Sequence, residues 1–248
     1  MSRRKGFLIF GFALLALASG AVLAQSLPLV TSAAGKGGTN YSVPVQTLIA
    51  LTALSFLPAA LMLMTSFTRI LIVFSLLRQA LGLQSMPPNM VLIGLSFFLT
   101  LFIMNPTFEK MYSEAYVPYT QQKLTFQQAI EVGTKPIKAF MLKQTRQEDL
   151  SLFAKLYDKP IASQEDVPMT VLIPAFAISE IKTGFLIGFM IYLPFIAIDF
   201  AVASILTSLG MVMISPMMFS LPLKLVIFAL ADGWALLAAS LVESYRVF

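Results

Sequence analysis

Ser179, Glu180 and Lys182 lie within four positions of one another in a long apolar stretch, and Asp199 and Asp232 follow in the same half of the chain. A serine near a lysine is a conceivable nucleophile and base. Two aspartates sharing a proton would be the working pair of an intramembrane aspartyl protease. Neighbours one and two positions apart point away from each other on a helix, so the three clustered side chains do not converge as a local catalytic set. Nothing in the spacing brings Asp199 to Asp232, and pairing with Lys182 or Lys224 is the simpler fate of each. The chain has no His and no Cys, which excludes imidazole bases, thiol chemistry, disulfides and zinc sites of the ordinary kind. No enzymatic activity and no cofactor is expected.

What the charges do imply is company. A charge near the centre of a bilayer costs roughly 2.5 to 3.5 kcal/mol, so Arg69, Lys182, Asp199, Lys224 and Asp232, all set in apolar stretches, are expected to be buried against protein. Glu180 is expected at a subunit boundary, paired with a cation or backbone donors. Gly184 and Gly188, four apart, let helices approach closely. Met211, Met213, Met217 and Met218 crowd a turn between Gly210 and Pro216, with no charge from Asp199 to Lys224. Methionines there either fill a core or form a deformable seal, and a dry constriction gates by excluding water.

The elements that position these residues follow from the apolar pattern. Of 248 residues 58% are apolar and 12% charged, far from the roughly 25% charged of an average globular domain, so the chain is membrane-associated. Residues 1–24 read as a cleavable signal peptide, with a basic start, a short apolar core and Val22-x-Ala24 as the cleavage site; an uncleaved anchor is the alternative. Arg3, Arg4 and Lys5 lie in it, leaving 14 basic against 12 acidic residues, with no basic stripe for nucleic acid.

Residues 25–44 form a small, polar leader without periodicity. Residues 45–105 form a first hydrophobic helical hairpin: a run to Leu77 with Pro58 as its expected kink, a basic connection at Arg69 and Arg78 assigned to the cytoplasm, and a short helix over Asn89 to Asn105.

Residues 106–171 change character, with eight acidic and eight basic side chains, and read as a soluble helical insert on the periplasmic side. Thr125-x-x-Gln128 is a capping box for a helix that Gly133 is expected to close, and Pro136 suits the start of the next. Ile137, Phe140 and Met141, then Leu150, Phe153 and Tyr157, make two apolar stripes ending at Pro160, which pack within the insert or against another subunit. Residues 172–248 form a second hydrophobic hairpin around the Met turn, expected to be bent at Pro174, Pro194, Pro216 and Pro222. Broken helices at membrane depth require protein or a water-filled cavity around them. The fold class is all-α, a multi-helix membrane-associated protein.

Several ordered blocks resemble one family. They are Pro174-Ala-Phe-x-x-Ser-Glu-Ile-Lys-x-x-Phe-x-Ile-Gly-Phe189, Pro194-Phe-x-x-Ile-Asp199, Ala203-Ser204, Leu209-Gly-Met-x-Met213, Leu221-Pro-x-Lys-Leu225 and Asp232-Gly-Trp234. In the insert, Phe140-Met-Leu-x-Gln-Thr-Arg146 and Asp149-Leu-x-Leu-Phe153 match as well. Together they resemble the FliP/SctR/SpaP family of type III secretion export-gate proteins. The leader resembles the flagellar members, since virulence relatives usually lack it.

The resemblance implies a structural, pore-forming subunit of the flagellar export gate in the bacterial inner membrane at the basal body. Copies self-associate, as a pentamer, into a helical ring with FliQ and FliR homologues and other export-apparatus membrane proteins. That ring lines a passage for unfolded substrates, its helices lying largely toward the periplasmic side. It also implies that Met211 and Met213 form a gasket, with Val212 where relatives often have Met, and that Phe140, Phe153 and Glu180 serve subunit contact. The equivalent subunit of a virulence secretion system is the alternative within the family. A self-contained small-solute transporter using Asp199, Lys224 and Asp232 is the alternative outside it.

Overall fold

A computed structural model of the chain describes residues 51, 52, 55, 58–60, 62–157, 163, 166–211 and 213–245. The expected signal peptide, the leader, Pro160 and Val212 lie outside the described residues. The chain divides into two compact units, Met1–Phe56 and Leu57–Phe248. In the first, residues 51, 52 and 55 are helical; the helices named below belong to the second. No strand occurs among the described residues, so the chain is all-α.

Helix α1, Phe67–Ala80, buries Ile70, Val73, Phe74 and Leu77, the i, i+3, i+4, i+7 spacing of one helix face. Against it pack Leu92, Phe195, Leu237 and Leu241 from three other helices. The apolar run that precedes α1 is helical at Pro58 and instead breaks at residues 64–66. There the Thr68 hydroxyl donates to the Met62 carbonyl at 2.6 Å, taking up an acceptor the interrupted helix would leave unpaired. The far end of α1 closes at Gly82, where φ is 79°. The Gly82 and Leu83 amides return to the Gln79 and Arg78 carbonyls at 2.9 and 3.1 Å, a Schellman closure that glycine adopts without strain.

Helix α2, Asn89–Met111, is longer than the sequence suggests. It runs through Pro106, then continues as a π-helical turn, Tyr112–Tyr116, into α3, Val117–Thr120. Proline removes one N–H from the ladder, and the apolar register on both sides keeps the helix going. The expected boundary at residue 106 therefore falls inside α2. Its buried residues are Leu92, Ser96, Thr100 and Met104, a narrow stripe with small polar residues at its centre. The Ser96 and Thr100 hydroxyls donate to the carbonyls four residues back, each at 2.7 Å, so α2 packs closely without orphaning a polar group.

Helix α4, Phe126–Gln144, opens on the expected capping box of Thr125 and Gln128. Gly133 does not close it, and the helix also runs through Pro136. A Cβ at Gly133 would lie 3.2 Å from the Ala115 Cβ, so the glycine lets α4 fold back tightly on the π-helical turn. Helix α5, Gln147–Lys155, follows. The two stripes of the insert pack in the chain's own second core: Met141 and Leu150 join Val171, Leu172, Ala175 and Phe176, with Ile137, Phe140, Phe153 and Tyr157 at its edge.

Helix α6, Met169–Ser208, is one continuous helix of 40 residues that Pro174 and Pro194 do not end. The sharp bend comes later, between α7, Met217–Leu230, and α8, Gly233–Ser244, which meet at 63°. No proline sits there: Asp232 adopts φ 48°, and Gly233 lies where a Cβ would be 2.2 Å from the Phe228 ring. Among the described residues two stretches, Asn89–Thr120 and Met169–Ser208, are long and apolar enough to cross a membrane, and the bent α7–α8 pair makes up to three.

Gly184 and Gly188 turn toward α1. A Cβ at Gly184 would meet Ile72 at 3.2 Å, and one at Gly188 would sit 2.2 Å from Leu76 Cδ1 and 2.9 Å from Leu76 Cβ. The second value leaves no room for a methyl group. Gly188→Ala is therefore expected to destabilise the α1–α6 contact by about 1–3 kcal/mol, with a smaller effect at Gly184→Ala and recovery when Gly188→Ala is combined with Leu76→Ala. Thermal unfolding in detergent reads all three; equal stability of Gly188→Ala and the parent would contradict the contact.

Candidate functional site

Two regions hold the residues that the sequence singles out, a buried charged centre and the exposed turn at the end of α6. The centre is built where α1, α4, α6 and the end of α8 meet. Arg69 is 2% exposed and Glu180 0%. The Arg69 guanidinium donates to Glu180 Oε1, to Gln144 Oε1 and to Ser244 Oγ, the last two at 3.3 Å. From the other side the Tyr245 hydroxyl donates to Glu180 Oε2 at 2.5 Å, and the guanidinium carbon lies 3.9 Å from the Tyr245 ring centroid. Gln144 Nε2 in turn donates to the Tyr245 carbonyl at 3.2 Å.

Both carboxylate oxygens thus have a donor, and the positive charge faces a carboxylate, an amide oxygen and an aromatic ring. Tyr245 lies one residue beyond α8; burial, and then the neighbouring Glu180 charge, push its hydroxyl well above its usual range. It therefore remains a donor. Phe140 seals this centre, stacked on Tyr245 at 6.1 Å and edge-on to Phe176 at 6.0 Å.

Glu180, expected to pair with a cation at a subunit boundary, pairs with Arg69 and is enclosed by residues of its own chain. The reason is geometric: its helix face points at α1, where Arg69 sits one face over from the aliphatic core. Phe140 and Phe153 are half-buried at the edge of the second core.

The remaining charges divide. Lys224 is buried; its ammonium donates to Asp199 Oδ2 at 2.6 Å and to the Ala80 carbonyl at 3.0 Å, capping the C-terminus of α1 as its unpaired carbonyls require. Asp199 keeps 40% of its side chain exposed. Lys182, expected to be buried, has 51% of its side chain exposed and pairs with Asp149, which is buried. A long side chain at the helix surface reaches a buried carboxylate while its own head stays outside. Asp232 is exposed at the left-handed corner between α7 and α8, a position a short polar residue tolerates. Ser179 Oγ accepts from the Arg146 amide at 2.9 Å, so serine and lysine have separate partners. Asp199 pairs with Lys224 and Asp232 makes the corner, so neither catalytic dyad, each already disfavoured by its spacing, is assembled among the described residues.

Sequence reasoning missed Asp149, Gln144 and Tyr245. Asp149 stands in a charge-rich segment where one more acid carries no signal, and the other two lie far from their partners in sequence.

At the turn, α6 ends in a second Schellman closure. Gly210 takes φ 78°, and the Gly210 and Met211 amides return to Thr207 and Leu206 carbonyls at 3.0 and 2.9 Å. Met213 is 99% exposed and Met218 75%; Met211 is half-buried. Met217 reaches back so that its Cε lies 3.1 Å from where a Cβ of Gly82 would be. A cavity of about 370 Å³ separates this turn from the loop at Gly82 to Met86.

The FliP family model matches residues 50–241, which takes in α1 to α7 and most of α8. The chain belongs to the FliP family. It is 52% identical over 225 residues to the flagellar biosynthetic protein FliP of Pectobacterium carotovorum subsp. carotovorum, covering 90% of this chain and 87% of that one. Against its namesake in Bacillus subtilis (strain 168) it is 53% identical over 209 residues, 83% of this chain and 94% of the relative. A longer FliP from Buchnera aphidicola subsp. Acyrthosiphon pisum is 54% identical over 211 residues, and this chain spans 56% of its length. In this FliP-family chain, Tyr245 lies beyond the matched residues yet supplies one of the two donors to Glu180.

Removing one charge of the centre leaves the other buried without its partner, at a cost of about 3–5 kcal/mol. Arg69→Met and Glu180→Met alone are each expected to lower the stability of the purified chain by that order, while Arg69→Met with Glu180→Met together recovers most of it. Tyr245→Phe, which removes one donor and keeps the ring, should cost about 1–3 kcal/mol. Denaturation of the four variants measures this; additive losses in the double variant would show that the pair is not the unit of stability.

Proposed function

We propose that this FliP-family chain is a structural, pore-forming subunit of the flagellar protein export gate in the bacterial inner membrane. In this reading copies of the chain form a ring with FliQ and FliR homologues, and unfolded flagellar proteins pass through it. Met211 and Met213 narrow the closed passage, the helices act as scaffold, and the chain performs no catalysis. Family membership supports the flagellar assignment, and the relatives' shared description as flagellar biosynthetic proteins supports it further.

The observation that carries the pore role is the Met turn. The Met213 thioether chain, 99% exposed on a turn fixed by a Schellman closure and flanked by long apolar helices, is left open among the described residues. Unbranched methionines repack around varied side chains at small energetic cost, which suits a seal that must yield to different substrates. Phe140, Phe153 and Glu180 are then proposed to serve assembly indirectly, by holding α4, α5 and α6 in the shape that the neighbouring subunit meets.

Met211→Ala with Met213→Ala should leak ions or small solutes in a conductance assay while the assembly forms at normal levels and export is retained in part. A double variant as tight as the parent would move the seal to other residues. The absence of native cysteine makes the topology directly readable, because Gln122 is exposed at the turn after α3. With the segment after α2 on the periplasmic side, Gln122→Cys is expected to react with a membrane-impermeant maleimide added outside spheroplasts. Reaction only after the cytoplasm is opened would reverse the orientation.

A further inference from the structure

Between α2, α4 and the end of α8 lies a cavity of about 660 Å³ that borders the buried centre at Phe140, Gln144 and Tyr245 and opens away from it along α2. Along α2 its lining changes from Leu101 and Phe102 to Asn105 and Lys110, and across it from α4 comes Lys143. The α2–α4 hairpin is antiparallel and closes where a Cβ at Gly133 would lie 3.2 Å from the Ala115 Cβ. Ten residues along each helix from that point, Lys143 comes level with Asn105. Lys143 therefore lies about 4.5 Å along the axis from Phe102 and about 7.5 Å from Lys110, so the lining runs from Leu101 and Phe102 through Lys143 to Lys110.

Lys110 and Lys143 are exposed, and neither is in a salt bridge among the described residues. The apolar end does not stop at the cavity. Phe98 is 69% and Phe102 62% exposed, extending an open apolar strip along α2 toward Asn89. Above the lysines come Tyr112 and Tyr116, both exposed, with rings stacked at 5.3 Å, and then Tyr119. Tyrosines clustered at one end of an apolar span sit at headgroup level, so the change from hydrocarbon to headgroup falls on α2 between Phe102 and Tyr112. About 12 Å of helix separates Phe102 from Lys110, the distance from the upper acyl chain to a phosphate.

We propose that this cavity is a binding site for an anionic phospholipid, whose phosphate is held by Lys110 and Lys143 and whose acyl chain lies along Phe102 and Phe98. Two unpaired cations at one end and an uncharged apolar strip at the other match a molecule with one anionic head and a hydrocarbon tail. A protein segment docking here would need an acidic group at one end and an otherwise apolar face. A zwitterionic lipid offers the lysines no net charge.

The test uses the full chain purified into nanodiscs of phosphatidylcholine with a minor share of phosphatidylglycerol, and measures by mass spectrometry the lipid retained after delipidation in detergent. The parent should retain phosphatidylglycerol in preference to phosphatidylcholine. Lys110→Gln with Lys143→Gln should lower that retention about tenfold or more, each lysine near a lipid surface contributing on the order of a factor of five. Lys123→Gln with Lys155→Gln, which removes the same charge elsewhere, should leave it unchanged. Ala139→Phe narrows the cavity with both lysines intact and should also expel the lipid. Equal retention in the two double variants, or equal retention of both lipids by the parent, would overturn the proposal. So would an Ala139→Phe chain that loses self-association yet keeps its lipid, since a second copy would then be the occupant.

Discussion

The fold turns on one buried ion pair. Arg69 and Glu180 belong to the two helices that make the most extensive contact in the second unit, and both are closed off from solvent. Charges in such surroundings are tolerable only when their hydrogen-bonding capacity is met. That requirement reaches beyond α1 and α6: Gln144 at the end of α4, and Ser244 and Tyr245 at the end of α8, supply most of it, leaving Arg69 Nε without a partner among the described residues. Four separate segments therefore converge on one point, and the ends of two of them are defined by it. An aliphatic pair would hold α1 to α6 equally well but would specify nothing about where α4 and α8 finish.

Around this point, packing depends on small residues as much as on large ones. Gly184 and Gly188 remove the side chains that would hold α1 away, and Ser96 and Thr100 present short hydroxyls bonded to their own helix. Gly133 does the same for the α2–α4 hairpin. In an apolar surrounding there is little hydrophobic force to drive helices together, and close backbone approach with its dispersion energy takes over that role. The same logic leaves large apolar side chains such as Phe185, Phe189 and Phe200 exposed on the outside of α6.

The Met turn stands at the opposite extreme from the charged centre. It opens on the glycine closure at Gly210, and Met213 and Met218 are among the most exposed of the described residues. A backbone held in place that carries deformable side chains would suit the seal proposed above, since its position would be set while its shape was not. The buried Lys224, tied both to Asp199 and to the end of α1, fixes α7 beside that turn.

Composition and local pattern determined much of this by themselves. An all-α membrane-associated chain, the capping box at Thr125, the close-approach glycines on α6 and the blocks that carry the family resemblance are properties of residue type and short-range spacing, which a linear sequence displays directly. For Asp199 such signals leave both Lys182 and Lys224 open, and the fold selects Lys224. The same signals misjudged where helices end. They point to ends at residue 106 and Gly133, a start at Pro136 and bends at Pro174 and Pro194, yet the helices run through all of them, because one lost hydrogen bond is small beside the packing of a long apolar face. The real corner at Asp232 has no proline. Only the tertiary structure decided that Glu180 closes inside its own chain, that Asp149 is the partner of Lys182, and that Tyr245 completes the centre. Those contacts join residues between 33 and 111 positions apart, and the choice among possible partners is made by which helix faces meet.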